Sequence, residues 1–204
     1  PGITCMVLCY VMLTAFRDFT DNFAVELWIA LGYGQSPAVF TTTTIPVIAA
    51  VLLALCLLMF VRSNQRAFQL NQIAVLIGFT TLAGATFLYQ AHFVSGFTWM
   101  VLLQLGLYLS YIPFNCLLFE RLAAAAPVYA NAGFLIYLAD SFGYLGSIAV
   151  LLYKSLVTPL LPWVEFVQGA AYLAALGGIV LSTFALVYFS QRFGEQRLQL
   201  SYAR

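Results

Sequence analysis

The sequence predicts an all-α integral membrane protein, a bundle of six transmembrane helices. Three observations carry this. Apolar residues make up 63% of the 204 and charged residues only 7%, whereas soluble domains carry about 25% charged residues. The mean hydropathy is +0.96, so the outer solvent has to be lipid. The apolar residues also fall into runs of about 20 residues, the length that crosses a bilayer.

The predicted spans are residues 3–31, 42–61, 70–89, 96–122, 129–153 and 164–189, a transmembrane unit over 1–190 with a cytoplasmic tail over 191–204. The first span is interrupted by Arg17, Asp18, Asp21 and Glu26 and ends in a turn marked by Gly32, Gly34, Ser36 and Pro37. The second begins at Thr41 to Thr44 and Pro46, read as capping hydroxyls and a first-turn proline, with a hydroxyl-lined mouth to a cavity as the alternative. It stops at Arg62, Ser63, Asn64, Gln65 and Arg66. The third stops at Gln90 and His92. The fourth carries an internal Pro113, which removes one backbone hydrogen bond and predicts a kink. Pro127 precedes the fifth, and Pro159 and Pro162 separate the fifth from the sixth.

Basic residues orient the bundle. Arg62, Arg66, Arg121, Arg192, Arg197 and Arg204 fall on one side and Lys154 alone on the other. The positive-inside rule then places both termini in the cytoplasm, as in a bacterial inner membrane. Trp28, Tyr33, Trp99, Tyr153 and Trp163 gather at the opposite boundary, where an aromatic belt is expected.

The spans differ in polarity. The third and sixth read as lipid-facing, with Gly78, Gly84, Gly169, Gly177 and Gly178 available for close helix contact. The first, fourth and fifth carry polar stripes at helical spacing: Tyr10, Thr14, Arg17 and Asp21; Gln104, Tyr108, Tyr111 and Asn115; Tyr137, Asp140, Ser141, Tyr144 and Ser147. Such stripes must face each other or a water-filled cavity.

Arg17, Asp18 and Asp21 are the most informative residues. Each costs roughly 2.5–3.5 kcal/mol at mid-bilayer. Arg17 and Asp21 are one turn apart and are expected to pair, leaving Asp18 to find a partner elsewhere. Asp140 lies near the midplane and could meet the first helix there. A closed ion-pair network holding the helices in register and a solute or ion site both fit this set. Glu120 and Arg121 are expected to anchor the fourth helix or close a gate against the fifth.

Several chemistries find no residues here. His92 is the only histidine, and Cys5, Cys9, Cys56 and Cys116 sit in apolar runs as packing residues, so no metal or other cofactor is expected. Eight dispersed basic residues give no nucleic-acid footprint. Neither G-x-S-x-G nor H-E-x-x-H is present, and the Asp18/Asp21 pair has Arg17 beside it, so an enzyme is not expected.

Six spans with both ends cytoplasmic, and polar first and fourth helices, resemble one half of a major facilitator superfamily transporter. There each half is three helices plus an inverted three. Residues 10–40, with Phe16, Arg17, Asp18, Asp21, Asn22 and Phe23 leading to Leu27 and Trp28, are similar to the seventh helix of the organophosphate antiporter branch. They also resemble an uncharacterised bacterial family with an Arg-Asp-x-x-Asp-Asn-Phe signature. The loop at 62–66 departs from the family's Gly-x-x-x-Asp-Arg-x-Gly pattern, having the basic residues without the Gly and Asp.

The resemblance implies secondary transport of a small polar solute by alternating access, with this chain as the C-terminal half and an N-terminal six-helix half as its partner. Arg17 would hold an anionic group or switch between Asp18 and Asp21. Asp21, Tyr108, Tyr111 and Asn115 would contact the solute, and Asp140 would carry a coupling proton. A multi-pass sensor, scaffold or assembly subunit is the alternative, with every charge paired and no continuous cavity.

Overall fold

The structure, a computed structural model, describes residues 1–34, 38–125, 131–158 and 160–202, with only the backbone for 196–202. It is all-helical, with no strand among the described residues. The elements are α1 (Gly2–Asn22), α2 (Ala24–Ala30), α3 (Ala38–Met59), α4 (Asn64–Gln90), α5 (Gly96–Pro113), a π-helical turn (Phe114–Leu118), α6 (Phe119–Ala125), α7 (Ala132–Leu152), a second π-helical turn (Tyr153–Val157) and α8 (Trp163–Tyr202). Six of the resulting segments are long and apolar enough to cross a membrane. The chain is therefore a multi-pass membrane protein.

The first span is two helices, because the backbone leaves the helical region at Phe23 (φ −111°, ψ 24°). The second starts earlier than expected. Thr42 and Thr43 do not cap it: their hydroxyls donate to carbonyls three and four residues back inside α3, Thr43 to Val39 at 2.7 Å. Pro46 is likewise interior rather than in the first turn. Pro113 has no N–H to give to the helical ladder, and a π-helical turn follows it directly. The expected tail at 191–204 is helical through Tyr202 as a continuation of α8, with Ala203 and Arg204 outside the described residues. So are Ser36, Pro37, Pro127, Tyr129 and Pro159, on which parts of the expected turns and the start of the fifth span rested.

Four helices form the centre. α1 packs on α8, α8 on α4, α4 on α5, and α5 meets α1 over a short stretch. α7 lies against α1, and α3 against α5, so these two flank the centre and bury the least of their surfaces. The core is lined by rings and branched chains, among them Phe19, Phe68, Phe79, Leu82, Leu103 and Phe114.

Two crossings depend on glycine. A side chain at Gly78 of α4 would overlap Ser110 and the Gly106 carbonyl of α5. One at Gly143 of α7 would meet Thr14 of α1. Both let backbones approach closely. Gly84 and Gly169 meet no neighbour, so they do not make the contact expected of them.

The third and sixth spans are not simply lipid-facing. α4 buries Asn71, Gln72, Val75, Phe79 and Leu82 while exposing Ile73 and Ile77 on its other side. Of the expected aromatic belt, Tyr153 is exposed and Tyr33 and Trp163 are half-buried, but two members are not at the surface. Trp28 and Trp99 are buried among the helices at that end, Trp99 stacked on Tyr89 with centroids 4.4 Å apart and bonded to Thr86 at 3.3 Å. Lys154 is buried rather than a loop cation, and Cys56 and Cys116 are exposed rather than packed.

Candidate functional site

The polar stripes of α1, α5 and α7 meet at one seam. Its centre is Tyr10, 1% exposed. The Tyr10 hydroxyl donates to Asp140 Oδ1 on α7 in a short bond, lies 3.1 Å from the Tyr111 hydroxyl, and is 3.0 Å from Asn115 Oδ1. One hydroxyl has one proton. With that proton on Asp140, Tyr111 donates to Tyr10, and the Asn115 contact is satisfied once its amide turns to present NH2. The π-helical turn places Asn115 here, one wide turn beyond Tyr111. The Tyr10 and Tyr111 rings stack at 5.4 Å.

Toward the α2 end, Arg17 forms the single ion pair among the described residues, with Asp18 and not Asp21. The expected turn-to-turn pair is therefore replaced by a pair between chain neighbours. Packing supplies the reason. The other oxygen of Asp18 accepts a 2.6 Å bond from Ser147 of α7, which fixes that carboxylate beside the guanidinium. The guanidinium also lies over the Tyr111 ring, 4.2 Å from its centroid. Asp21 turns the other way, and both its oxygens accept from the Tyr108 hydroxyl of α5, at 3.1 and 3.0 Å.

Asp21 and Tyr108 open into a groove of about 320 Å³ between α1, α3 and α5, which also takes in Thr44 and Gln104. Thus Gln104, absent from the expected solute contacts, belongs with Tyr108, and the run Thr41 to Thr44 contributes through Thr44 alone. The signal for Gln104 was its place on the Tyr108 stripe. Ser147 was on the α7 stripe in the same way, while Tyr137, Ser141 and Tyr144 of that stripe are exposed and point away from the seam contacts.

The structure brings α1 and α7 together, as the Asp140 expectation required, but Asp140 meets Tyr10 rather than Arg17. Glu120 and Arg121 lie apart from the seam. Arg121 donates to Asn64 Oδ1 at 2.8 Å, which ties α6 to the start of α4, while α6 also packs on α7, the fifth span; Glu120 is exposed. No group of three or more His, Cys, Asp or Glu is placed to hold a metal ion among the described residues.

The chain belongs to the family described as "Family of unknown function (DUF5690)", whose model matches residues 1–192. Comparisons with curated proteins and with solved structures return no match.

Proposed function

We propose that this chain is one six-helix half of a major-facilitator-type secondary transporter, moving a small polar solute by alternating access with both termini cytoplasmic. The observation that carries the reading is the packing order. Exchanging α1 with α5, α3 with α7 and α4 with α8 maps the main contacts onto one another: α1–α7 becomes α5–α3, α1–α8 becomes α5–α4, and α4–α8 and α1–α5 map to themselves, while the smaller α3–α4 and α6–α7 contacts break the symmetry. That is the relation expected of three helices plus an inverted three. The polar seam lies between the two equivalent central helices, and the least buried helices flank it, as a face that awaits a second half would require.

In this reading Arg17 is a switchable partner. Its guanidinium is held by Asp18 and Tyr111 in the present state, and Asp21 lies one turn away as its other acceptor. Asp140, bonded only to the neutral Tyr10 hydroxyl, is the carboxyl suited to carry a coupling proton. The wide turn after Pro113 puts the weakest backbone of the fourth span beside Tyr111 and Asn115, where bending would open or close the seam. Arg121 with Asn64 would hold the cytoplasmic end.

The test is accessibility. In full-length protein with all native cysteines replaced, Cys5, Cys9, Cys56 and Cys116 among them, Tyr111→Cys is expected to react with a membrane-impermeant maleimide added from one side of the membrane. Absence of labelling from both sides would overturn the transport reading in favour of a non-transporting membrane component, for which the mutually bonded seam would serve as a register lock.

A further inference from the structure

We infer that the groove between α1, α3 and α5 is a binding site for an amphipathic organic cation, a primary amine on a small apolar body, whose ammonium group pairs with Asp21. This names the solute class for the seam and in that sense rests on the transport reading, although binding itself requires no translocation.

Charge balance is the first argument. Among the described residues of the seam, three carboxylates, Asp18, Asp21 and Asp140, stand against one guanidinium, that of Arg17. Arg17 is committed to Asp18, so two negative charges are left over. Asp140 accepts from Tyr10 and Asp21 from Tyr108, both neutral donors. A carboxylate with no cation beside it favours a proton or a cation as its partner. Asp140 sits in a closed cluster around a buried tyrosine, with room for a proton. Asp21 is exposed and opens onto free space, with room for a larger cation. An anion placed there would add a third unbalanced negative charge, and Arg17, the residue expected to hold an anionic group, does not line this groove.

The shape of the groove is the second argument. At about 320 Å³ it is at the small end of ligand cavities. Its polar lining residues are Asp21, Tyr108, Gln104 and Thr44, with Tyr108 bonded to Asp21, and the rest of its wall is apolar, with Phe40 and Ile112 among the lining residues. A carboxylate, an amide oxygen and a hydroxyl can accept three N–H bonds, the number an ammonium group donates. The apolar wall and Phe40 suit a hydrocarbon or ring body.

The experiment uses three probes of matched shape on the full-length protein in lipid nanodiscs: 2-phenylethylammonium, 2-phenylethanol and 2-phenylacetate, with empty nanodiscs subtracted. Calorimetry is expected to show binding of the ammonium compound at least tenfold tighter than the alcohol, and none of the carboxylate. Asp21→Asn, which keeps the volume and an acceptor for Tyr108, is expected to abolish that preference. Ala24→Phe, which narrows the groove while keeping the carboxylate, is expected to block the ammonium compound as well. Equal binding of ammonium and alcohol, preference for the carboxylate, or an unchanged preference in Asp21→Asn would each overturn the inference. A failed amine preference with successful labelling of Tyr111→Cys sinks this site alone. Amine binding with no labelling sinks transport alone.

Discussion

The guanidinium of Arg17 sits over the face of the Tyr111 ring, 4.2 Å from its centroid, while the Tyr111 hydroxyl reaches Tyr10 at 3.1 Å. One side chain thus has two separable contacts. Tyr111→Phe keeps the ring under the cation and loses the hydroxyl, and is expected to cost about 1 kcal/mol. Tyr111→Leu removes both and is expected to cost roughly 1 kcal/mol more, the worth of a partly desolvated cation–π contact. Thermal unfolding of the two variants in the same detergent measures the difference. Equal losses would mean that the ring face contributes nothing.

Asp18 is the only counter-ion of Arg17 among the described residues, and both side chains are about one-fifth exposed, at 19% and 20%. Asp18→Asn strands the cation in the seam. The full penalty for a broken buried pair is about 3–5 kcal/mol, and the partial exposure reduces the expectation here to about 2 kcal/mol. Arg17→Leu combined with Asp18→Leu is expected to recover most of that loss. A double variant as unstable as Asp18→Asn would show that the pair holds the bundle together and not merely the local charge.

Gly78 and Gly84 lie on the same helix and contrast sharply. Gly78→Val drives a side chain into Ser110 and the Gly106 carbonyl, and the strain of overpacking is typically about 1–3 kcal/mol. Gly84→Ala meets nothing and is expected to be neutral or to stabilise α4 by about 0.5–1 kcal/mol through helix propensity. Unfolding midpoints of the two variants should move in opposite directions or differ by at least the overpacking cost.

Lys154 is 4% exposed, and its Nζ donates to the carbonyl oxygens of Thr158 at 2.9 Å and Leu161 at 2.7 Å. It also stands 4.7 Å from the Trp163 ring centroid. It closes the frayed carbonyl end of the second π-helical turn, a cationic C-terminal cap. Lys154→Met leaves the Leu161 carbonyl without its donor and the Thr158 carbonyl with only the Leu161 N–H at 3.2 Å, and is expected to cost about 2 kcal/mol, with Lys154→Arg retaining most of the stability. A red shift of tryptophan emission in Lys154→Met would register the loss beside Trp163.

The spans were readable from the sequence because transfer of an apolar run into lipid is a local property, the sum of its own side chains. Stripe membership was readable for the same reason: Tyr10, Tyr108, Tyr111, Asn115 and Asp140 share a seam that helical periodicity assigns them to. Partner choice was not. The spacing rule pairs Arg17 with Asp21, but Tyr108 of α5 takes Asp21 and Ser147 of α7 fixes Asp18, and neither donor lies within 80 residues of its carboxylate along the chain. Thr42 and Thr43 misled for a different reason. Hydroxyls that cap a helix and hydroxyls that bond back along it have the same sequence signature, and only the position of Ala38 as the true start separates them. Trp28 and Trp99 carry the composition of an interfacial anchor, and burial depends on which rings pack beside them.

The 40 residues of α8 make a helix about 60 Å long, against a hydrocarbon thickness of about 30 Å. Phe68 at the start of α4 braces the emerging part, with its ring 5.2 Å from Phe189 and 5.8 Å from Phe193. Beyond that brace the axis continues to Tyr202 as an outrigger. A straight rod of this length pivoting by 10° about its middle moves each tip by about 5 Å. Small tilts inside the bilayer are thereby magnified at the Tyr202 tip, which makes it the place where a fluorophore pair would see the bundle rock.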